Sequence, residues 1–285
     1  MKIIDIFKQY MIQNKPTFSE CTFKTYKSVF LVWKNQLKIN TDKDITEFSP
    51  KVAQHLALRI KQQKKSPKTI NLQLSLMRNI LKFHEESSLQ STHWELIRNV
   101  KTKKKDISVL TVEQKEQIIK TVKENPTPAG ICILVMLLSG LRVSEALNLR
   151  IEDINLKDSS IYVSSGKGDK ARDTFMLHPL QIILSKYISS LPKHYEYIFQ
   201  SRREPKPITR DYIFKTCSRI FPDFHIHPHL LRHTYATTLV NKSLDLFTLQ
   251  KVLGHSSITT TQMYLHPKYN DLKKSFQKIL SPLQA

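Results

Sequence analysis

Six polar residues in the second half of the chain, Arg142, Lys167, His229, Arg232, His255 and Tyr264, form an inventory suited to handling a phosphodiester without a metal. They lie in the strings SGLRVSEAL, SGKGDKARD, HPHLLRHTYATTL and LGHSSITTTQMY. A guanidinium is a planar fork that fits two phosphate oxygens. Two such forks, from Arg142 and Arg232, can neutralise a pentacovalent phosphorane, work that Mg²⁺ performs elsewhere. His255, next to Gly254, can donate to a non-bridging oxygen. Glu145 is three residues beyond Arg142, on the same helical face, where its carboxylate can orient the guanidinium. Tyr264 is the candidate nucleophile: a phenol with a pKa near 10 is protonated at neutral pH and attacks only with help from a nearby cation and base. Of the 5 glycines, Gly140, Gly166, Gly168 and Gly254 sit beside these residues, where a turn can approach a ligand closely.

A metal site is the rival reading of the segment HIHPHLLRH, because His229 and His233 stand four apart with His225 and His227 just ahead. No Glu follows the first His and no carboxylate lies nearby in the sequence to complete a hydrolytic centre, so no metal and no other cofactor is expected. Cys21, Cys132 and Cys217 are widely spaced and read as reduced packing residues of a cytosolic protein.

The elements that must position this set divide the chain in two. Residues 1–98 carry apolar residues at three- and four-residue steps: Ile3, Phe7, Tyr10 and Met11; Phe23, Tyr26, Phe30 and Trp33; Val52, Leu56 and Ile60; Ile70, Leu74, Met77 and Leu81. Pro50, and Pro67 after Ser66, mark helix starts. A small four-helix bundle is expected. Residues 99–106 (NVKTKKKD) are a basic linker, which extended would cover roughly 26 Å. Residues 107–285 begin with a capping-box signal at Thr111–Gln114, then an apolar helix ending at Gly140 and a short one from Val143. The β-like runs Ile161–Val163 and Thr174–Leu177 flank SSGKGDKARD as a hairpin, and everything after His178 reads as helical. The fold class is mainly α, with one small antiparallel sheet.

Charge names the partner. With 45 Lys+Arg against 24 Asp+Glu the chain carries +21. Residues 1–105 hold 21 basic and 8 acidic residues, or +13, leaving +8 for the longer remainder. A surplus of this size speaks to nucleic acid, an anionic membrane or an acidic protein. Membrane is the weakest candidate, because the longest apolar stretch, Ile131–Leu138, is far short of the ~20 residues needed to span. No signal peptide is read at the start, where MKIIDIFKQY is interrupted by Asp5 and Lys8.

The ordered set R…K…HxxR…H…Y, with GLRVSE, a glycine-flanked Lys, HLLRH followed by TYATTL, LGH 23 residues after Arg232 and Tyr nine residues after His255, resembles the tyrosine recombinase (phage integrase) family. The likeness covers both domains and is nearest to Xer-type recombinases. It implies a core-site DNA-binding bundle, a catalytic domain with a C-terminal exchange helix, and strand cutting and rejoining through a 3′-phosphotyrosyl ester without metal or ATP. It selects Lys167 as the acid that protonates the leaving 5′ oxygen, and His229 as a phosphate hydrogen-bonder and proton acceptor. His233 is left structural. Contacts to DNA are expected from Lys64, Lys65, Lys68, Lys103, Lys104 and Lys105, and from Lys170 and Arg172, read as solvated or on the backbone. The implied partner is double-stranded DNA with inverted-repeat core sites, bound as a dimer per site and a tetramer in synapsis, homomeric or mixed with a related recombinase. The apolar positions Leu272, Phe276, Ile279 and Leu280 would form the exchanged helix, and the setting would be cytoplasmic, at the nucleoid. The alternatives are a type IB topoisomerase-like enzyme and a non-catalytic DNA-binding relative.

Overall fold

The computed structural model describes residues 2–36, 49–88, 92–102, 108–164, 171–201, 203–255, 257–262 and 264. Lys103, Lys104, Lys105, Lys167, Lys170 and the stripe from Leu272 to Leu280 lie outside the described residues. The chain divides into two compact units, Met1–Lys105 and Asp106–Ala285.

The first unit contains α1 (Ile3–Asn14), α2 (Glu20–Gln36), α3 (Pro50–Lys61), α4 (Pro67–Ser88) and a 3-10 turn at Trp94–Leu96. Its helix starts follow local chemistry. The Ser49 hydroxyl accepts from Val52 N–H with Pro50 in the first turn, and the Ser66 hydroxyl accepts from Thr69 N–H ahead of α4. The apolar faces meet in one core around Trp33, Leu56, Ile60 and Leu74. Phe7 and Phe30 stack with ring centroids 3.8 Å apart. Trp33 is fully buried and its indole N–H donates to Gln73 at 2.9 Å, so its one polar atom is satisfied. Lys64, Lys65 and Lys68 are exposed at the α3–α4 turn, and Lys65 lines a groove with Lys24, Thr25, Ser28 and Thr69 from α2 and α4.

The second unit is built round α6 (Pro128–Ser139), whose residues are apolar on every side and buried from Ala129 onward. Packed about it are α5 (Val112–Glu124), α7 (Val143–Leu147), α8 (Leu180–Ser189), α9 (Arg210–Ile220) and α10 (Pro228–Asn241). The helices α11 (Leu246–Leu253) and α12 (Ile258–Gln262) follow, and α11 lies on α10. The Thr111–Gln114 capping box is present at the start of α5. Gly140 ends α6 at φ +68°, and a Cβ there would stand 2.3 Å from the Tyr235 ring, so only glycine permits both the turn and the packing.

The sheet is antiparallel in the order β1 (Ile154–Asn155), β2 (Ser160–Val163), β3 (Arg172–Phe175), with Ile161 opposite Thr174. Two expectations are corrected. The second hairpin strand ends at Phe175: Met176 N–H still donates to Ser159 O at 2.8 Å, but Leu177 N–H turns to Leu138 O at 2.8 Å, tying the strand to the end of α6. The region after His178 is not continuously helical either. Among the described residues, 190–201 and 203–209 run between α8 and α9 without a helix and make isolated bridges, Arg150 with Tyr197 and Gln200 with Pro207, where Pro192, Pro205 and Pro207 block helical hydrogen bonding. No helix among the described residues is long and apolar enough to cross a membrane.

Candidate active site

Two helix ends define the site. The last carbonyls of a helix have no partner within it and carry the negative end of its dipole. At the ends of α6 and α11 the glycines Gly140 (φ +68°) and Gly254 (φ +64°) turn the chain and leave such carbonyls accessible to guanidinium groups. Arg232, on α10, donates to Gly140 O at 2.8 Å and to Leu253 O, so one side chain joins both ends. Arg142 donates to the next carbonyl, Gly254 O, at 2.8 Å. Two arginines 90 residues apart in the chain are thereby held on adjacent peptide groups. Their exposure differs: Arg232 is 5% exposed, whereas the Arg142 side chain is 32% exposed.

Glu145 organises the cations. It accepts from the backbone N–H of Arg142 at 2.7 Å and from its guanidinium at 2.8 Å, as the i, i+3 spacing requires. It also accepts both terminal nitrogens of Arg172, at 3.0 and 2.9 Å. The expectation for Arg172 is corrected by this geometry. Its side chain is 8% exposed, its Nε donates to Val252 O at 3.0 Å, and a Cβ on Gly254 would meet its guanidinium at 2.8 Å. A guanidinium with every edge engaged this way is neither solvated nor free for a DNA backbone; it bridges β3 to α7 and α11. Burial raises the Glu145 pKa, but Arg172 and then Arg142 outweigh it, and the carboxyl is held below its usual range.

The imidazoles and the phenol come from α10 and from the turn after α12. His229 is exposed on the first turn of α10, its ring 6.1 Å from that of His233. His227 caps the same helix, its Nδ1 accepting from Leu230 N–H at 3.1 Å. His255 follows Gly254, and its Nδ1 is 2.9 Å from the Thr261 hydroxyl. Tyr264 is 8% exposed, and its hydroxyl lies 2.7 Å from His233 Nδ1. His233, read from sequence as structural, is therefore the residue that the phenol touches. Arg142, Glu145, Arg232, His255 and Tyr264 are brought together, His229 stands at the rim, and Lys167 lies outside the described residues.

Crowding of positive charge shows in the titration behaviour. Burial, and then Arg142, pulls Arg232 down to about 10, which leaves it charged at neutral pH. Burial also pushes His233 down to about 4, helped by His229, His227 and Arg232, and His255 down to about 4, helped by Arg232, Arg142 and Arg172. Both are neutral in the free protein. Tyr264 is raised by burial and pulled back in part by Arg232. A sign follows for stability. Unfolded histidine takes up a proton near 6.5, which these two sites refuse until about 4, so their contribution is complete above 6.5 and lost as pH falls towards 4. The drop from 6.5 to about 4, at about 1.4 kcal/mol per pKa unit, gives about 3.5 kcal/mol per ring before solvent screening of these half-buried groups and on the order of 2 kcal/mol after it. Thermal midpoints between pH 6.5 and 5, above the range of most carboxylates, are expected to fall steeply. The slope should flatten in a His233→Asn, His255→Gln double variant, and an unchanged slope there would refute the assignment.

Comparison with known proteins shows the family of the chain. Residues 108–271 match the model of the phage integrase family. Among curated proteins, the tyrosine recombinase XerA of Pyrococcus furiosus is 30% identical, covering 90% of this chain and 92% of its own length. The tyrosine recombinase XerC of Oceanobacillus iheyensis is 29% identical over 96% and 94%. Among solved structures, the Tn1549 transposon integrase in complex with a circular-intermediate DNA superposes with a TM-score of 0.77 at 18% identity, covering 98% of this chain and 99% of that one. A lambda integrase dimer bound to a core site gives 0.72 at 18% identity, covering 93% and 95%. At such identities the two structures speak for the fold.

Proposed function

Because the chain belongs to the phage integrase family and is a tyrosine recombinase, we propose that it cuts and rejoins double-stranded DNA at specific sites, with Tyr264 as the nucleophile. The observation that carries this reading is the seating of Arg142 and Arg232 on the neighbouring carbonyls of Gly254 and Leu253, with the phenol of Tyr264 within the electrostatic reach of Arg232.

In this reading the two guanidiniums hold the non-bridging oxygens of the scissile phosphate, and Glu145 with Arg172 keeps Arg142 aimed. With the Thr261 hydroxyl donating to Nδ1 of His255, the remaining ring proton sits on Nε2, where it can reach a phosphate oxygen. His229 adds a further donor from the rim. The Tyr264 oxygen attacks phosphorus; its bond to phosphorus forms as the bond to the 5′ oxygen breaks, and Lys167 gives that oxygen its proton. The 3′-phosphotyrosyl ester keeps the bond energy for rejoining, so neither ATP nor a metal enters.

The exposed Lys64, Lys65 and Lys68, together with Lys103, Lys104, Lys105 and Lys170, supply phosphate contacts along the duplex. Two protomers occupy each inverted-repeat site and four form the synapse, as copies of this chain or with a related recombinase. The stripe Leu272, Phe276, Ile279 docks on a neighbour. The test uses supercoiled plasmid carrying two copies of a short inverted repeat from the DNA flanking the gene, with EDTA present and no ATP. Deletion or inversion products are expected. Relaxation alone would mean topoisomerase-type chemistry, a gel shift alone a binding protein, and rescue by Mg²⁺ or Zn²⁺ would overturn the metal-free mechanism.

A further inference from the structure

The mechanism above leaves one proton without a destination: the one that Tyr264 must lose as its oxygen bonds to phosphorus. The sequence points to His229, but that ring is exposed at the rim of the site, and the phenol oxygen lies 2.7 Å from Nδ1 of His233 instead. The two rings are also packed, with centroids 5.5 Å apart. Among the described residues the Tyr264 hydroxyl has no other hydrogen-bond partner, and it is buried, so leaving its proton unshared would be costly. The arrangement that satisfies both groups has the phenol donating to an unprotonated Nδ1, with the imidazole proton on Nε2.

From this geometry we infer that His233 is a catalytic residue: the base that holds the Tyr264 hydroxyl in the resting enzyme and takes its proton during attack. The step balances. The oxygen of Tyr264 gains phosphorus and gives its proton to Nδ1; phosphorus loses the 5′ oxygen, which takes a proton from the general acid; rejoining returns both.

The surroundings suit this assignment. His227, His229 and Arg232 on or beside α10 lie within electrostatic reach of His233, as does His255 after α11, and the Tyr264 ring packs against it. In the free enzyme these neighbours discourage a proton on the ring, which therefore stays an acceptor across the physiological range. A bound phosphodiester adds negative charge to the same cluster, and a phosphorane adds more. The proton affinity of His233 then rises as the phenol has to release its proton. A base whose strength is set by the substrate's own charge is idle until DNA is seated.

The inference rests on the recombinase reading, and one experiment separates the two. Single-turnover formation of the covalent adduct is measured on a nicked substrate between pH 6 and 8.5 for the full-length chain, His233→Asn and His233→Ala. Asparagine places an amide near the position of Nδ1, so it can still hold the phenol but cannot take its proton. The wild-type rate is expected to change little over this range. Both variants should fall about 10²-fold or more at pH 7, and then recover about tenfold per pH unit as the phenolate fraction grows. Half-site binding, measured alongside, should be retained in the asparagine variant. Wild-type rates in both variants, or an asparagine variant slowed equally at every pH, would show that His233 only packs against the phenol. A wild-type chain that forms no adduct would instead sink the recombinase reading itself.

Discussion

Tyr264→Phe is expected to bind its DNA site with unchanged affinity and to form no covalent adduct. The substitution removes one oxygen from a side chain that is 8% exposed, leaving the ring's packing with Tyr235, Leu249 and Leu253 in place. The hydrogen bond to His233 is lost, which costs on the order of 1 kcal/mol, too little to unfold a domain of this size. With no oxygen to attack phosphorus, the loss of cleavage is complete. Capture on a nicked substrate followed by denaturing electrophoresis reads this directly, and a persistent adduct in the variant would mean that another residue is the nucleophile.

Arg232→Ala should lower cleavage by about 10²–10³-fold, the usual effect of removing one charge-assisted donor from a transition-state oxygen, while DNA affinity changes far less, because one phosphate contact among many is lost. The same change has a second cost that Arg142→Ala does not share. Arg232 is the only described group that joins Gly140 O to Leu253 O, and removing it strands two carbonyls at about 1–3 kcal/mol each when no water replaces it. Arg142 is more exposed and leaves one such carbonyl. Both variants should therefore lose cleavage, but the melting temperature should fall mainly for Arg232→Ala. Parallel losses of binding and cleavage in both would make them docking arginines.

How much of this was legible beforehand depends on the distance between partners. Arg142 and Glu145 are three residues apart, and helical spacing alone predicts their pairing. Arg232, His255 and Tyr264 stand in strings whose order is informative without coordinates. Arg172 was misread because its partner Glu145 lies 27 residues away, and a basic residue following a lysine-rich hairpin tip looks solvated. One local signal was available: in β3 Arg172 shares the inward face with Thr174, which is buried. The role of His233 depends on a residue 31 positions later, with two helix ends and a turn between, and no periodicity carries that information. The helical bundle was readable because its cores repeat at helical steps. The stretch 190–209 was not, although Pro192, Pro205 and Pro207 could have warned against a helix.

Glu145 has an electrostatic consequence for the site as a whole. Arg142, Arg172 and Arg232 contribute three positive charges and Glu145 one negative, so this group sums to +2. A phosphodiester carries one negative charge and a pentacovalent phosphorane approaches two. Seated DNA would leave the group with an excess of one positive charge, and only near the top of the barrier would the two sets cancel. Coulomb attraction scales with the product of the charges, so this group holds a phosphorane about twice as strongly as a resting phosphodiester, and the carboxylate trims the attraction to both. What the acid in the middle of the arginines supplies is aim rather than field: it fixes the forks whose attraction grows as the phosphorane forms, which is the condition for binding energy to appear as rate.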